Sequence, residues 1–163
     1  FQILAQVAGR AGRGKKPGRV ILQTYNPEHF CIQTARLQDY IAFSEREISY
    51  RKALKYPPFA RLIQIRVEGR DEERTAQWAR DLGDIAQELI NKHREFQRAI
   101  DVLGPTAAPL PRLQSQYRWH LLLKGWRSEP LHEFTRILVK NVERSTRERG
   151  IRIIVDVDPV SML

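Results

Sequence analysis

Tyr56-Pro57-Pro58-Phe59 divides this chain into two stretches that cannot share one helix or one strand. The residue before a proline is pushed out of helical angles, and each proline removes a backbone donor. Before this step the apolar residues are irregularly spaced; after it they fall into clean periods. It is the best domain boundary in the sequence. Residues 30–58 read as a linking helix that stops there, its helical stretch expected over residues 32–54. Ile32, Ala35, Tyr40, Phe43, Ile48 and Leu54 are interspersed there with Arg36, Asp39, Glu45 and Arg51. The imperfect periodicity suits a docking arm better than a core element.

Residues 59–163 are easier to read. Over residues 60–69, Ile63, Ile65 and Val67 alternate with Leu62, Gln64, Arg66 and Glu68, as in a half-buried strand. Asp71 is placed to cap a helix whose stripe runs Thr75, Trp78, Ala79, Leu82, Ile85, Ala86, Leu89 and Ile90. A short strand over 100–103 precedes Gly104-Pro105, and a Pro- and Ala-rich loop over 106–111 leads to a third strand over 117–124. Ser128 opens the second helix, with Leu131, Phe134, Leu138 and Val142 on one face, and Gly150 ends it. Ile151, Ile153, Val155 and Val157 alternate through a last strand. The order β-α-β-β-α-β predicts an α+β, ferredoxin-like domain: an antiparallel sheet with both helices on one face.

Composition narrows the partners. The 163 residues carry 28 Lys and Arg against 19 Asp and Glu, a formal charge of +9. A polyanion is the expected partner class, nucleic acid ahead of membrane. Residues 1–58 hold 10 basic and 4 acidic side chains, so the excess is concentrated before the boundary. Cys31 is the only cysteine, which excludes an internal disulfide, and no Cys/His set has zinc-ligand spacing. No apolar run approaches the ~20 residues of a membrane span, and no leader-like stretch is present. The expectation is a soluble, cytoplasmic protein without membrane partners.

Residues 102–128 contain no acidic side chain. They carry Arg112, Arg118, Lys124 and Arg127, interleaved with Tyr117, Trp119 and Trp126, beside Gln114 and Gln116. Cations for phosphates and flat rings for bases are the ingredients of single-strand binding. Strand parity tempers this, since Trp119, Leu121 and Leu123 share a face that points into the core. Arg118, His120 and Lys124 then lie on the opposite, open face. That face carries no aromatic, which argues against base stacking in the RNA-recognition-motif mode. Tyr117 and Trp126, at the strand ends, are the expected stackers. Asp156 and Asp158 share a strand face too, but nothing supplies further metal ligands.

Gln6-Val7-Ala8-Gly9-Arg10-Ala11-Gly12-Arg13-Gly14 lies near the start. Arg10 and Arg13 are three apart, so on a helix both would face one anionic group. A solvated basic turn is the plainer alternative. Gly9 to Lys15 also spells G-x-x-x-x-G-K, but Lys16 stands where Mg²⁺ needs Ser or Thr, and Pro17-Gly18 breaks the helix that would receive phosphate. It is not a P-loop. Gly18-Arg19-Val20-Ile21-Leu22-Gln23-Thr24 reads as a short strand buried on both faces, whose sheet partners lie outside this sequence. No well-packed lobe is expected from residues 1–25 by themselves.

The segment Gln6-x-x-Gly9-Arg10-x-Gly12-Arg13 resembles motif VI of superfamily 2 helicases. In order along the chain, Pro17-Gly18-Arg19-Val20-Ile21-Leu22-Gln23-Thr24-Tyr25-Asn26-Pro27, Tyr56-Pro57-Pro58-Phe59, Tyr117-Arg118-Trp119 and Val155-Asp156-Val157-Asp158-Pro159 extend the likeness to the PriA family of bacterial replication-restart helicases. The resemblance implies a parent that moves three-prime to five-prime on DNA with ATP and Mg²⁺, recognises stalled forks and helps assemble the primosome. Residues 1–29 would be the end of a RecA-like helicase lobe. Arg10 and Arg13 would reach ATP phosphates, supported by Gln6, Gly9 and Gly12. Zinc would sit in a parent domain outside these residues, and no cofactor is expected in this chain, which by itself would not hydrolyse ATP. DNA forks and single strands, single-stranded DNA-binding protein and other primosome proteins are the implied partners, in a bacterial, nucleoid-associated setting. The implied contact residues are Arg112, Gln116, Tyr117, Arg118, His120, Lys124, Trp126 and Arg127. Relatives flank Tyr-Arg-Trp with Arg and Gln; here Gln116 and His120 stand there, one cation fewer. A stand-alone nucleic-acid-binding module and a protein-docking domain remain the alternatives.

Overall fold

A computed structural model describes residues 1–11, 18–148 and 150–159. It separates into two compact units, Phe1–Lys55 and Tyr56–Leu163.

The first unit holds α1 (Gln2–Ala8), α2 (Phe30–Leu37) and α3 (Tyr40–Leu54). The single helix expected over residues 32–54 is two. Gln38 takes left-handed angles (φ 54°) and ends α2, and the Asp39 side chain accepts from the Ala42 N–H to start α3. An N-cap aspartate in mid-pattern explains the irregular periodicity, because the span carries the faces of two helices and not one. Ring contacts join the helices: Phe43 stacks on Phe1 at 4.7 Å and on Phe30 at 5.8 Å. Neither α1 nor α3 has a buried residue. The strand expected over residues 18–24 does not form; Val20, Ile21 and Leu22 are exposed. A strand needs neighbours for its backbone groups, and the described residues of this unit form no sheet to supply them.

The second unit runs β1 (Arg61–Gly69), α4 (Glu72–Lys92), a single turn α5 (Arg94–Gln97), β2 (Ile100–Leu113), β3 (Gln116–Gly125), α6 (Ser128–Glu148) and β4 (Arg152–Val157). The sheet order is β2-β3-β1-β4 with every neighbouring pair antiparallel. Each β-α-β unit is therefore split by a strand of the other. Helix α4 starts where Asp71 accepts from the Arg74 N–H at 2.8 Å. Its Trp78, Leu82, Ala86 and Leu89 meet Leu131, Phe134, Leu138 and Val142 of α6 over Ile63, Ile65, Val67, Leu121 and Leu123. Burying a leucine or phenylalanine contributes ~1.5–3 kcal/mol, so this cluster is what holds the unit together. At Gly69 an added Cβ would overlap the Thr75 hydroxyl and lie 2.8 Å from Ile151 Cδ1, so β1 and α4 approach through a position without a side chain.

The loop expected over 106–111 is instead part of β2, which continues through Pro105, Pro109 and Pro111. Register shifts fall between Leu103 and Thr106 and between Ala107 and Arg112. β2 is an edge strand, where prolines without an N–H are tolerated at bulges. Among the described residues no helix is long and apolar enough to cross a membrane.

Candidate nucleic-acid and partner interface

Strand β3 carries the residues singled out from the sequence, and its register sorts them. Trp119 lies opposite Val67 and Tyr117 opposite Gly69, on the helix side of the sheet. His120 lies opposite Arg66 and Arg118 opposite Glu68, on the far side. Trp119 is half-buried and packs against the core.

The far face differs from expectation, because at its centre it is not open. Arg118 is 6% and His120 7% exposed, and Gln64 and Leu62 are buried as well. The polar side chains there lie across one another. Glu68 Oε1 is 2.8 Å from Arg66 Nε and 3.6 Å from Arg118 Nε, and Gln64 Nε2 is 3.1 Å from His120 Nδ1. With the amide nitrogen donating, Nδ1 accepts and the His120 proton sits on Nε2. That atom is buried without a hydrogen-bond partner among the described residues. Burial, then Arg118 and Arg66, lower the His120 pKa below its ordinary value, and Glu68 opposes them. His120 is therefore held neutral between two cations.

The remaining residues separate to the two ends of β3, roughly 30 Å apart at ~3.3 Å per residue. At its far end Lys124 lies 3.6 Å from Asp101 Oδ2 and 5.9 Å from the centre of the Tyr56 ring. Trp126 is 51% exposed, and Arg127 pairs with Glu129 at 2.9 Å. At its beginning the Arg112 guanidinium lies over the Tyr117 ring, 5.3 Å from its centre. Gln116 lines a groove of about 450 Å³ with Arg70, Asp71 and Arg74. A neighbouring groove of about 770 Å³ is lined by Glu72, Glu73, Arg74, Gln77, Arg80 and Trp119. Arg70, Arg74 and Arg80 were not among the sequence candidates. The available signal was Arg74, Gln77 and Arg80 at intervals of three, flanking the apolar stripe of α4.

The beginning of β3 thus gathers four arginines, two half-buried rings and a glutamine, with the acids of the first turn of α4 on one rim. Such a surface suits an extended anion with flat groups. The described residues hold no group of three or more His, Cys, Asp or Glu able to bind a metal ion, so none is assigned to zinc.

In the first unit Gln6 lies on α1, and Gly9 caps it with right-handed angles. Arg10 is in the turn beyond, its N–H 3.2 Å from the Val7 carbonyl. Helix α1 ends at Ala8, so Arg10 stands just beyond it. Gly12 and Arg13 lie outside the described residues.

Comparison with known proteins fixes the family. Residues 52–160 match the family described as primosomal protein N C-terminal domain. The chain is similar to replication restart protein PriA of Synechocystis (34% identical over 99% of this chain), of Thermotoga maritima (35% over 99%) and of Bacillus subtilis (30% over 100%). It spans about a fifth of the length of these relatives, 18%, 19% and 20% respectively. A solved Burkholderia ambifaria hydantoinase/carbamoylase family amidase shows a likeness at 14% identity and TM-score 0.42, over 60% of this chain and 27% of that one, and bears no argument. The matched span contains the whole sheet with α4 and α6, and the chain belongs to the PriA family, with residues 52–160 as its C-terminal domain.

Proposed function

We propose that this chain is the C-terminal part of an ATP-dependent DNA helicase that restarts stalled replication forks, and that residues 59–163 are its ferredoxin-like module for binding DNA or single-stranded DNA-binding protein. Similarity along the whole chain to replication restart proteins carries this reading. Residues 1–29 are read as the end of a RecA-like lobe. The exposed Ile3, Val7, Ile21, Tyr40, Ile41 and Leu54 would pack on the rest of that longer protein, since apolar surface of this extent seldom stays in water. Within the module, Arg70, Arg74, Arg80 and Arg112 take phosphates while Tyr117 and Trp119 offer ring edges. Arg118 and His120 are buried, so they hold the sheet in register and do not touch the ligand.

A second reading is a protein-docking module. Asp71, Glu72 and Glu73 on the groove rims favour it, because they repel phosphate. Titration of the chain with fluorescent single-stranded DNA across a salt series separates the two. Four phosphate contacts predict a slope of about −3 in log K against log salt, and Arg74→Ala with Arg112→Ala reduces its magnitude by about 1.4. Absence of binding at low salt would favour docking and overturn the nucleic-acid reading.

A further inference from the structure

Strand β4 is an edge of the sheet, and among the described residues nothing pairs with its outer side. The Asp158 N–H donates to the Leu62 carbonyl at 2.9 Å, which sets the parity of the ladder. Residues 152, 154 and 156 turn their backbone groups to β1; Ile153, Val155 and Val157 turn theirs outward. Val155 and Val157 are 38% and 50% exposed although they lie on the helix-side face. With Ile63, Thr135 and Val139 they line a groove of about 300 Å³ beside α6. An edge of this kind is a template for another strand.

Its charges indicate which strand. Arg152 and Asp156 sit four residues apart on the far face, and neither has an ion-pair partner among the described residues. Glu68, across from Arg152, is already held by Arg66 and Arg118. We propose that β4 pairs antiparallel with β4 of a second copy of this chain, centred on Ile154, so that each Arg152 faces the other copy's Asp156. In this register the outward-facing Ile153 of one copy meets the outward-facing Val155 of the other, so backbone donors oppose acceptors. Ile153 and Val155 also continue the apolar helix-side face across the junction. Centring on Val155 would set Arg152 against Asp158, which Arg61 already holds at 3.2 Å. The Ile154 register is the one that pairs both unpartnered charges twice. It rests on β4 alone and is independent of the nucleic-acid reading.

Two six-residue strands bury little area, so the dimer is weak, and sedimentation equilibrium is run up to about 1 mM chain. The expected result is a reversible monomer–dimer equilibrium. Arg152→Asp and Asp156→Arg each weaken it about tenfold, because two attractive cross-strand pairs become repulsive. The double exchange R152D/D156R restores it to within about threefold, by the same pairwise logic. Both side chains are exposed, and unchanged circular dichroism confirms that the variants fold. Hydrogen exchange supplies a second readout: the amides of Ile153 and Val155 gain protection with concentration, while those of Ile154 and Asp156 do not change. A monomer throughout, a dimer indifferent to the single reversals, or a double variant that does not recover would each overturn the proposal.

Discussion

His120 occupies a site that favours one protonation state. It lies between Arg66 and Arg118, is buried, and accepts from Gln64. Burial first, then the charges of Arg118 and Arg66, lower its folded pKa from the ordinary value of 6.5. The unfolded chain binds the proton more readily, so the stability His120 contributes is fully present above about pH 6.5 and is lost as pH falls through the lowered value. Calorimetry should show the melting temperature falling as pH drops below 6.5. In His120→Gln, which keeps an acceptor for Gln64 but does not titrate, that fall is shallower. Equal slopes in the two proteins would contradict the assignment.

At the scale of elements, the β2–β3 hairpin turns on Gln114 and Ser115, both at positive φ (50° and 61°). Two-residue loops with both centres left-handed are the primed turns that match strand twist, and Asn-Gly fits them best. Replacing Gln114-Ser115 with Asn-Gly is expected to stabilise the chain by ~0.5–1 kcal/mol, read from the urea midpoint at constant m-value. The same hairpin marks a limit of what the sequence discloses. Ile63, Ile65 and Val67, the α4 stripe and the Leu131-to-Val142 face were legible, because burial on one face imposes a period. The course of β2 through three prolines was not, since edge pairing with bulges imposes none. Parity placed Trp119 on the core side, yet it did not reveal that Arg118 and His120 are buried on the far side beside Glu68 and Gln64. The grouping of Arg70, Arg74 and Arg80 with Gln116 and Trp119 arises only when β1 and β3 pair, joining segments distant in sequence.

For the whole molecule, the two units differ in how self-sufficient they are. Among the described residues the large hydrophobic cluster lies after Tyr56, whereas α1 and α3 bury nothing and α2 buries Thr34 and Ala35. Arg10 and Arg13 are accordingly read as part of a site completed by a lobe outside these residues. In the full-length parent, Arg13→Ala is expected to lower DNA-stimulated ATP turnover by about a thousandfold or more, as loss of an arginine finger does. Near-normal turnover would refute the motor assignment. The order of the strands has a further consequence, for synthesis. β1 lies between β3 and β4, and Gln64 must wait for Asp156, 92 residues later, before its backbone groups are paired. At ~5–20 residues per second a ribosome needs roughly 5–20 s to cover that distance. Both ladders of β1 are open until β3 follows. From then until β4 arrives the nascent domain carries its central strand half-dressed, with Ile63, Ile65 and Val67 in place and one ladder of backbone groups still open to any other chain nearby.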